Sequence, residues 1–514
     1  MTLSPWQTYS VADLRRLLTG GTVTSAEITR TYLDRIDRFD SAGSPPLNSI
    51  VDIDRAAVEL ARARDRERAA GRIRGPLHGI PFVVKTNIAA TGLPLTAGNR
   101  GLASYRPRAD AAVVRELRAA GAIVLASANM SEFAWHGTFT ESSIRGVTAN
   151  IFDTARSAGG SSGGSAVAVA AGFAPISLGT DSCGSVVGPA VHAGLVGFRP
   201  SGGAVGRSGV IPLSPSQDVV GPIGRTVRDI AEFADLMTGG RHSWLAGAAA
   251  TDLTQLTAAY LTWPFDTPSG RSASRGRDSR STRLRALADH MIDTLTREYR
   301  LRRAELPELD AAFARDVLTD SGWTDARHSI GMFLERTPAR YEPAAGARPG
   351  SRPDFAELLT TTALDRDTTA AWLAAPPIPN PAHDAALAKQ RAGRRALTAL
   401  LTRRGIDVLI YPTAPDIAHP GWAGTAAAGI ASNTGAPSVQ VPIGAVAGLP
   451  VGLTVTAAPG RDTRALAVAA ALEAVVPNAV HPPGIGTRGR TVRGVLGGER
   501  VRAGRVRSPG AGRA

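Results

Sequence analysis

One stretch, Gly159 to Pro189, reads GGSSGGSAVAVAAGFAPISLGTDSCGSVVGP and gathers residue types that do group-transfer chemistry. Its two Gly/Ser-rich turns are separated by an Ala/Val-rich segment too apolar and too short for a linker, so both turns should be fixed against one buried element. Such turns expose backbone N–H groups. Glycine lets the main chain approach a ligand and take positive φ, and a serine there can aim its hydroxyl at whatever the N–H groups bind. Two chemistries use this arrangement: a phosphate cradle, or a serine nucleophile beside an oxyanion hole.

The lysine census separates them. Of 58 Lys and Arg residues, only Lys85 and Lys389 are lysine. Lys85 ends the apolar run GIPFVV, whose strand character draws the ammonium into a dry place where burial lowers its pKa. Arginine cannot lose its proton in a protein, whereas a desolvated lysine serves as a base near neutral pH. A strand-end lysine snorkelling to the surface is the ordinary alternative. In a chain that otherwise uses arginine, a retained lysine points to proton transfer.

Four ordered blocks carry a resemblance: GPLHGIPFVVKTNIAATGLPLTAGN, ANMSEFAWHGTFTES, GGSSGGSAVAVAAG and GTDSCGSVVGPA. They resemble the amidase signature family of serine hydrolases, over about Pro5 to Gly240 and again over about Gly405 to Glu473. The 24-residue interval from Ser161 to Ser185 matches the family pattern. The resemblance implies Lys85 as base, Ser161 as bridging serine after a cis Gly160–Ser161 peptide, and Ser185 as nucleophile. It places the backbone N–H groups of Ser182, Cys183, Gly184 and Ser185 at the oxyanion. The implied reaction cleaves a carboxamide through an acyl-enzyme, with no metal or organic cofactor.

Two departures concern the substrate. Thr86 follows the lysine where the family usually has Asp, and Val187 stands where an arginine often follows the nucleophile by two positions. Valine offers no donor to a carboxylate, which favours a neutral carboxamide, as in peptide-amidase-like members. Cys183 is a rival nucleophile if His136 or His192 lies beside it. The expectation instead is a cysteine packed as a small hydrophobe that lends its N–H. Other readings are the glutaminase subunit of a tRNA-dependent amidotransferase, a small-molecule kinase using the Gly/Ser loop, and a non-catalytic binding protein. The intact Lys–Ser–Ser set and the later blocks disfavour the last two.

The elements that position these residues alternate. Ser10 caps a helix through Leu18, and Thr24 with Glu27 forms a capping box for a second helix carrying Ile28, Tyr32 and Ile36. Asp54 opens a charged helix to about Ala70. Gly79–Lys85 reads as a strand, Asp110–Ala120 as a helix, Ala122–Ser127 as a strand, and Thr226 caps a helix that stops at Gly239. Strands return at Ile406–Tyr411, Ser438–Pro442 and Val451–Thr456, then a helix over Asp462–Val475. The expected fold is α/β, a single large mixed β-sheet core with helices on both faces, occupying residues 1–480. Its core blocks are 70–240 and 405–475. The segment 241–404 has weaker patterning, with irregular stretches at Arg271–Thr282, Arg336–Pro353 and Pro376–Pro381, and the resemblance implies that it contributes to the substrate pocket.

Charge and cysteine usage complete the frame. The 514 residues are 43% apolar, enough for a large core. The net charge is +14, and residues 485–514 hold eight Arg against one Glu, so half the excess lies in a Gly/Arg tail, 481–514, expected to be disordered. A solvated terminus needs no nucleic-acid partner. No apolar run is long enough for a membrane span and no signal pattern opens the chain, so the expected location is the cytoplasm. The single cysteine excludes an internal disulfide. The expected partner is a small-molecule or peptidyl amide, and a homodimer is compatible with this reading.

Overall fold

The computed structural model describes residues 8–266, 279–317, 321–342, 352–476 and 482. Its centre is an eleven-stranded sheet. In chain order the strands are β1 (Ile50–Ile53), β2 (Pro81–Lys85), β3 (Ile123–Ala128), β4 (Ile176–Asp181), β5 (Val196–Arg199), β6 (Val219–Gly224), β7 (Thr257–Tyr260), β8 (Arg302–Ala304), β9 (Val408–Pro412), β10 (Ser438–Val446) and β11 (Leu449–Ala457). Across the sheet they run β1-β3-β2-β4-β6-β5-β10-β11-β9-β7-β8. The sheet is mixed. β3, β2 and β4 are parallel, β4 pairs antiparallel with β6, and β10 and β11 form an antiparallel hairpin.

Every residue of β2 through β6 is buried. Helices on both faces impose this, and strands buried on both sides read as continuous apolar runs rather than alternating ones. Phe82, Val83, Val84, Ile123, Val124, Ile176 and Leu178 have almost no exposed surface. The helix Gly163–Ala170 packs on β2, β3, β4 and β6, and all eight of its residues are buried. Its small side chains permit that approach. A Cβ on Gly164 would run into the backbone of Asn129 and Ser49.

The N-terminal helices follow their caps. Ser10 and Thr24 each form a capping box, at Val11–Thr19 and Ser25–Ile36, and Thr226 caps Val227–Met237. Asp54 lies outside its helix, which spans Ala57–Ala69 with Ala56 as N-cap. The Asp54 carboxylate instead accepts the Ala56 N–H at 2.9 Å.

The segment 241–404 holds more regular structure than its patterning announces. It is mainly helical, with long helices at Ser279–Tyr299, Gly322–Arg336 and Pro381–Arg404, and it adds β7 and β8 to one edge of the sheet. Three expectations of irregularity change accordingly. Residues 271–278 lie outside the described residues, but the chain is helical from Ser279. Arg336 closes a helix, and Ala339–Arg340 pairs antiparallel with Arg106–Pro107. Pro381 is the first residue of its helix, where its missing N–H costs nothing. Residues 1–482 form one compact unit. The basic tail lies outside the described residues, Pro482 apart. Among the described residues, no helix is long and apolar enough to cross a membrane.

Candidate active site

The carboxyl ends of β2, β3 and β4 meet at one edge, as ligand sites in parallel α/β sheets do. β2 ends on Lys85. β4 ends on Thr180 and Asp181, and the chain turns through Ser182–Val186 into the short helix Val187–His192. The other Gly/Ser turn, Gly160–Ser162, precedes the buried helix Gly163–Ala170 and contains a cis Gly160–Ser161 peptide. Just past β3, the Ser131 N–H donates to the Ser161 carbonyl at 3.1 Å.

Lys85 is fully buried. Its Nζ contacts Ser161 Oγ at 2.7 Å, Thr180 Oγ1 at 2.8 Å and the Thr180 carbonyl at 3.3 Å. Burial pushes the amine down to about 7, against the opposing pull of Asp181 and Asp218. Neutral and charged forms therefore coexist near neutral pH, the condition for a general base.

The second turn is stapled by Asp181. Its carboxylate accepts the N–H groups of Gly184 at 2.7 Å and Val186 at 2.8 Å, and it pairs with Arg199 Nη1 at 2.9 Å. Both members of that ion pair are almost completely buried. Arg199 also donates to the carbonyls of Asp181 at 2.5 Å and Gln217 at 2.7 Å. A buried pair is tolerable when such bonds satisfy its remaining valences. The two turns touch through Ser162 N–H, which donates to the Ser185 carbonyl at 3.3 Å. Ser185 is itself buried, and its hydroxyl makes no hydrogen bond among the described residues.

A base, a hydroxyl in its grasp and a second serine on a braced turn make an arrangement for acyl transfer. The sequence model of the family described as Amidase matches residues 27–466. The chain belongs to the amidase signature family. It is an amide-hydrolysing enzyme. Among curated proteins, it is 35% identical to a glutamyl-tRNA(Gln) amidotransferase subunit from Salinispora arenicola, over 91% of this chain and 97% of that one. Among solved structures it resembles the native peptide amidase from Stenotrophomonas maltophilia, with a TM-score of 0.76 and 30% identity, over 93% of this chain and 99% of that one.

For this amidase, several expectations take a definite position. Lys85 and Ser161 are in contact, while Ser161 and Ser185 share no hydrogen bond. Among the expected oxyanion donors, the N–H of Gly184 is directed at the Asp181 carboxylate. Its glycine identity has another cause: φ is +89° and a Cβ would press on Ala428 and Thr425. Cys183 is exposed rather than packed, and its sulfur accepts from Ser432 Oγ at 3.5 Å. The turn faces outward at that residue. His192 is buried with its pKa pushed down to about 4 by desolvation, and its Nε2 lies 3.5 Å from the Gly424 carbonyl. His136 stacks on Phe139. Thr86 answers the missing Asp by bonding Thr96 Oγ1 at 2.9 Å.

Val187 is buried and lines a small cavity with Gly184, Arg199, Tyr411 and Thr425. Thr180, Asp181 and Arg199 hold Lys85 and the second turn in place, and sequence reasoning passed them over. One signal was available for the last. Arg199 ends the apolar run LVGF, a place where a charge must find a partner.

Proposed function

We propose that this amidase hydrolyses a neutral carboxamide through Lys85, Ser161 and Ser185. Neutral Lys85 takes the proton of Ser161 as Ser161 takes that of Ser185, whose oxygen attacks the amide carbon. The proton returns through Ser161 to the leaving nitrogen, and water then cleaves the acyl-enzyme by the same route. Backbone N–H groups of the Ser182–Ser185 turn, Gly184 excepted, stabilise the tetrahedral oxyanion; losing one such donor costs about 3–4 kcal/mol.

The observation that carries the neutral substrate is the state of Arg199. It lines the cavity beside Val187, yet its charge is committed to the Asp181 carboxylate, and only its buried Nε is without a partner. A neutral acceptor suits that remaining donor, together with the hydroxyl of Thr425 on the same wall. A carboxylate there would face the Asp181–Arg199 pair with no cation of its own. The likeness to a peptide amidase supports a peptidyl carboxamide. The test is kcat/KM for a neutral amide and its analogue bearing a carboxylate near the scissile bond, read by ammonia release. Preference for the neutral member is expected, and preference for the charged one overturns the assignment.

A second reading rests on the identity to amidotransferase subunits over nearly the whole chain. In that reading the protein is a glutaminase subunit that works with partner subunits. Ammonia release from small amides by the isolated chain, without stimulation by such partners, decides against it.

A further inference from the structure

A recess of about 230 Å³, counting its open mouth, adjoins the lysine and has no part in the chemistry above. Its polar wall is Asn87, Thr180, Ser182, Arg207 and Asp218. Arg207 is exposed, so the recess reaches the surface there. Ser182 Oγ and Asp218 Oδ1 are bonded to each other at 2.5 Å, and Asp218 Oδ2 accepts the N–H groups of Leu213 and Ser214. Asn87 and Thr180 remain.

Thr180 Oγ1 accepts from Lys85 Nζ at 2.8 Å and from Asn87 Nδ2 at 3.1 Å. A hydroxyl has two lone pairs and one proton. With both lone pairs taken, the Thr180 proton has to find a further acceptor. Asn87 Nδ2 also donates to the Ile211 carbonyl at 3.3 Å, which fixes the orientation of the amide. Its Oδ1 is then a buried acceptor with no partner among the described residues, although Asn87 is only 2% exposed. One small molecule with both a donor and an acceptor satisfies the two groups together, and the recess has room for about one water.

We propose that the recess holds a water bridging Thr180 Oγ1 and Asn87 Oδ1, and that Lys85 exchanges its proton with solvent through Thr180 and this water while substrate covers the serines. The proposal rests on Lys85 being the base. Of the three Lys85 contacts, Ser161 faces the substrate and the Thr180 carbonyl cannot relay a proton, which leaves the Thr180 hydroxyl. The ammonium gives one proton to Thr180 Oγ1, Thr180 gives its hydroxyl proton to the water, and the water releases one to solvent beside Arg207. The amine ends neutral, and no electrons are gained or lost. Asp181 and Asp218 are the charged groups facing the lysine, and both hold its proton back. Without a route, a lysine caught protonated beneath the substrate stays idle until the substrate leaves. Thr180 and Asn87 are positioning residues in this scheme.

A sequential pH jump tests it. Enzyme saturated with a neutral amide at pH 6 is mixed to pH 8 and ammonia release is followed. Wild type should reach its full rate at once. Thr180→Val should show a lag, Thr180→Ser should abolish the lag, and Asn87→Leu should show a lag of its own. Fluorophosphonate labelling of Ser185 at pH 9 identifies a misfolded variant, and if Thr180→Val misfolds, Asn87→Leu carries the test. A lag-free Thr180→Val, or Val and Ser variants impaired alike at every pH, overturns the route and leaves the base assignment standing. A wild-type rate that does not rise across the jump overturns both. A crystal structure that resolves waters should show one between Thr180 and Asn87; a dry recess sinks the proposal.

Discussion

The catalytic half, from about residue 75 to 225, and the segment 241–404 are held in place by different means. In the first, Lys85 and the two serine turns are fixed by main chain: strands buried on both faces, N–H groups of Ser131 and Ser162 on the turns' carbonyls, and a buried carboxylate stapling the nucleophile turn. The second is tied to it by one short main-chain ladder, Ala339–Arg340 on Arg106–Pro107, and otherwise largely by side chains. Glu132 accepts Asn99 Nδ2 at 2.6 Å from its own half, and Thr362 Oγ1 at 2.5 Å and the Ala363 N–H at 3.2 Å from the segment. Trp372 is fully buried against Phe133, Trp135 and Phe355. Ser214 Oγ meets Asp325 Oδ2 at 2.9 Å. Main-chain bonding fixes geometry whatever the side chains, while side-chain anchors let the rest of a segment change. The expectation that follows is that substitutions in the first half reach the chemistry and those in the second spare it.

The largest effect that would separate the halves is at the nucleophile. Ser185→Ala should lower kcat by a factor on the order of 10⁴ or more, whereas Cys183→Ala, at an exposed thiol, should keep most of the rate. Ammonia release and mass-spectrometric location of a fluorophosphonate adduct measure both. An adduct on Cys183 would move the chemistry to another residue of the turn.

Lys85→Arg should cost roughly 10²–10⁴ in kcat, nearly as much as Lys85→Met, because a guanidinium keeps the charge but accepts no proton. In wild type, kcat/KM should rise with pH through about 7, where the amine becomes neutral. The same shift bears on stability. Between about 7 and the ordinary value of 10.5, the unfolded chain holds a proton at Lys85 that the folded chain lacks, so this group makes stability climb with pH across that window. Lys85→Met should therefore be the more stable protein at pH 7, by roughly 1–3 kcal/mol after the lost hydrogen bonds are counted. Urea unfolding should show that gain shrinking as the pH approaches 10.

Arg199→Met should cost about 3–5 kcal/mol of stability, since it strands Asp181 as a buried charge. A melt close to wild type would mean that the carboxylate is neutralised some other way. The smallest effect should come from the helical segment. Trp372→Phe should leave kcat for the smallest amide within a few-fold and change KM for bulkier ones more, with a loss of about 1–3 kcal/mol from the vacated volume. A large fall in kcat for the smallest amide would dissolve the division between halves.

Much of the chain up to about residue 225 was readable from its residues. Capping boxes at Ser10 and Thr24, the strand ending on Lys85 and the two turns depend on local rules that act within a few positions, and the structure forms each. What escaped was non-local. Lys85 meets Thr180 95 residues away because the sheet order puts their strands side by side, and Asp181 meets Arg199 across the intervening strand β6. Nothing in the spacing of Gly184 says that an aspartate three residues earlier consumes its N–H. Cys183 was misjudged because a small apolar side chain is usually covered, and this turn presents it outward. The helices of 241–404 were hard to see for another reason. In Pro381–Arg404 buried Gln390 and Gly393 share the inner face with Leu397, Leu400 and Leu401, which blurs the stripe that marks an amphipathic helix.

Cys183 has a practical consequence. It is the sole thiol of the chain, it is exposed, and only Gly184 stands between it and Ser185. A maleimide fluorophore would attach at one defined point beside the reactive centre, without mutagenesis to remove competing sites. Its emission would then report occupancy of the neighbouring cleft in real time, turning a substrate search that depends on product chemistry into a binding titration.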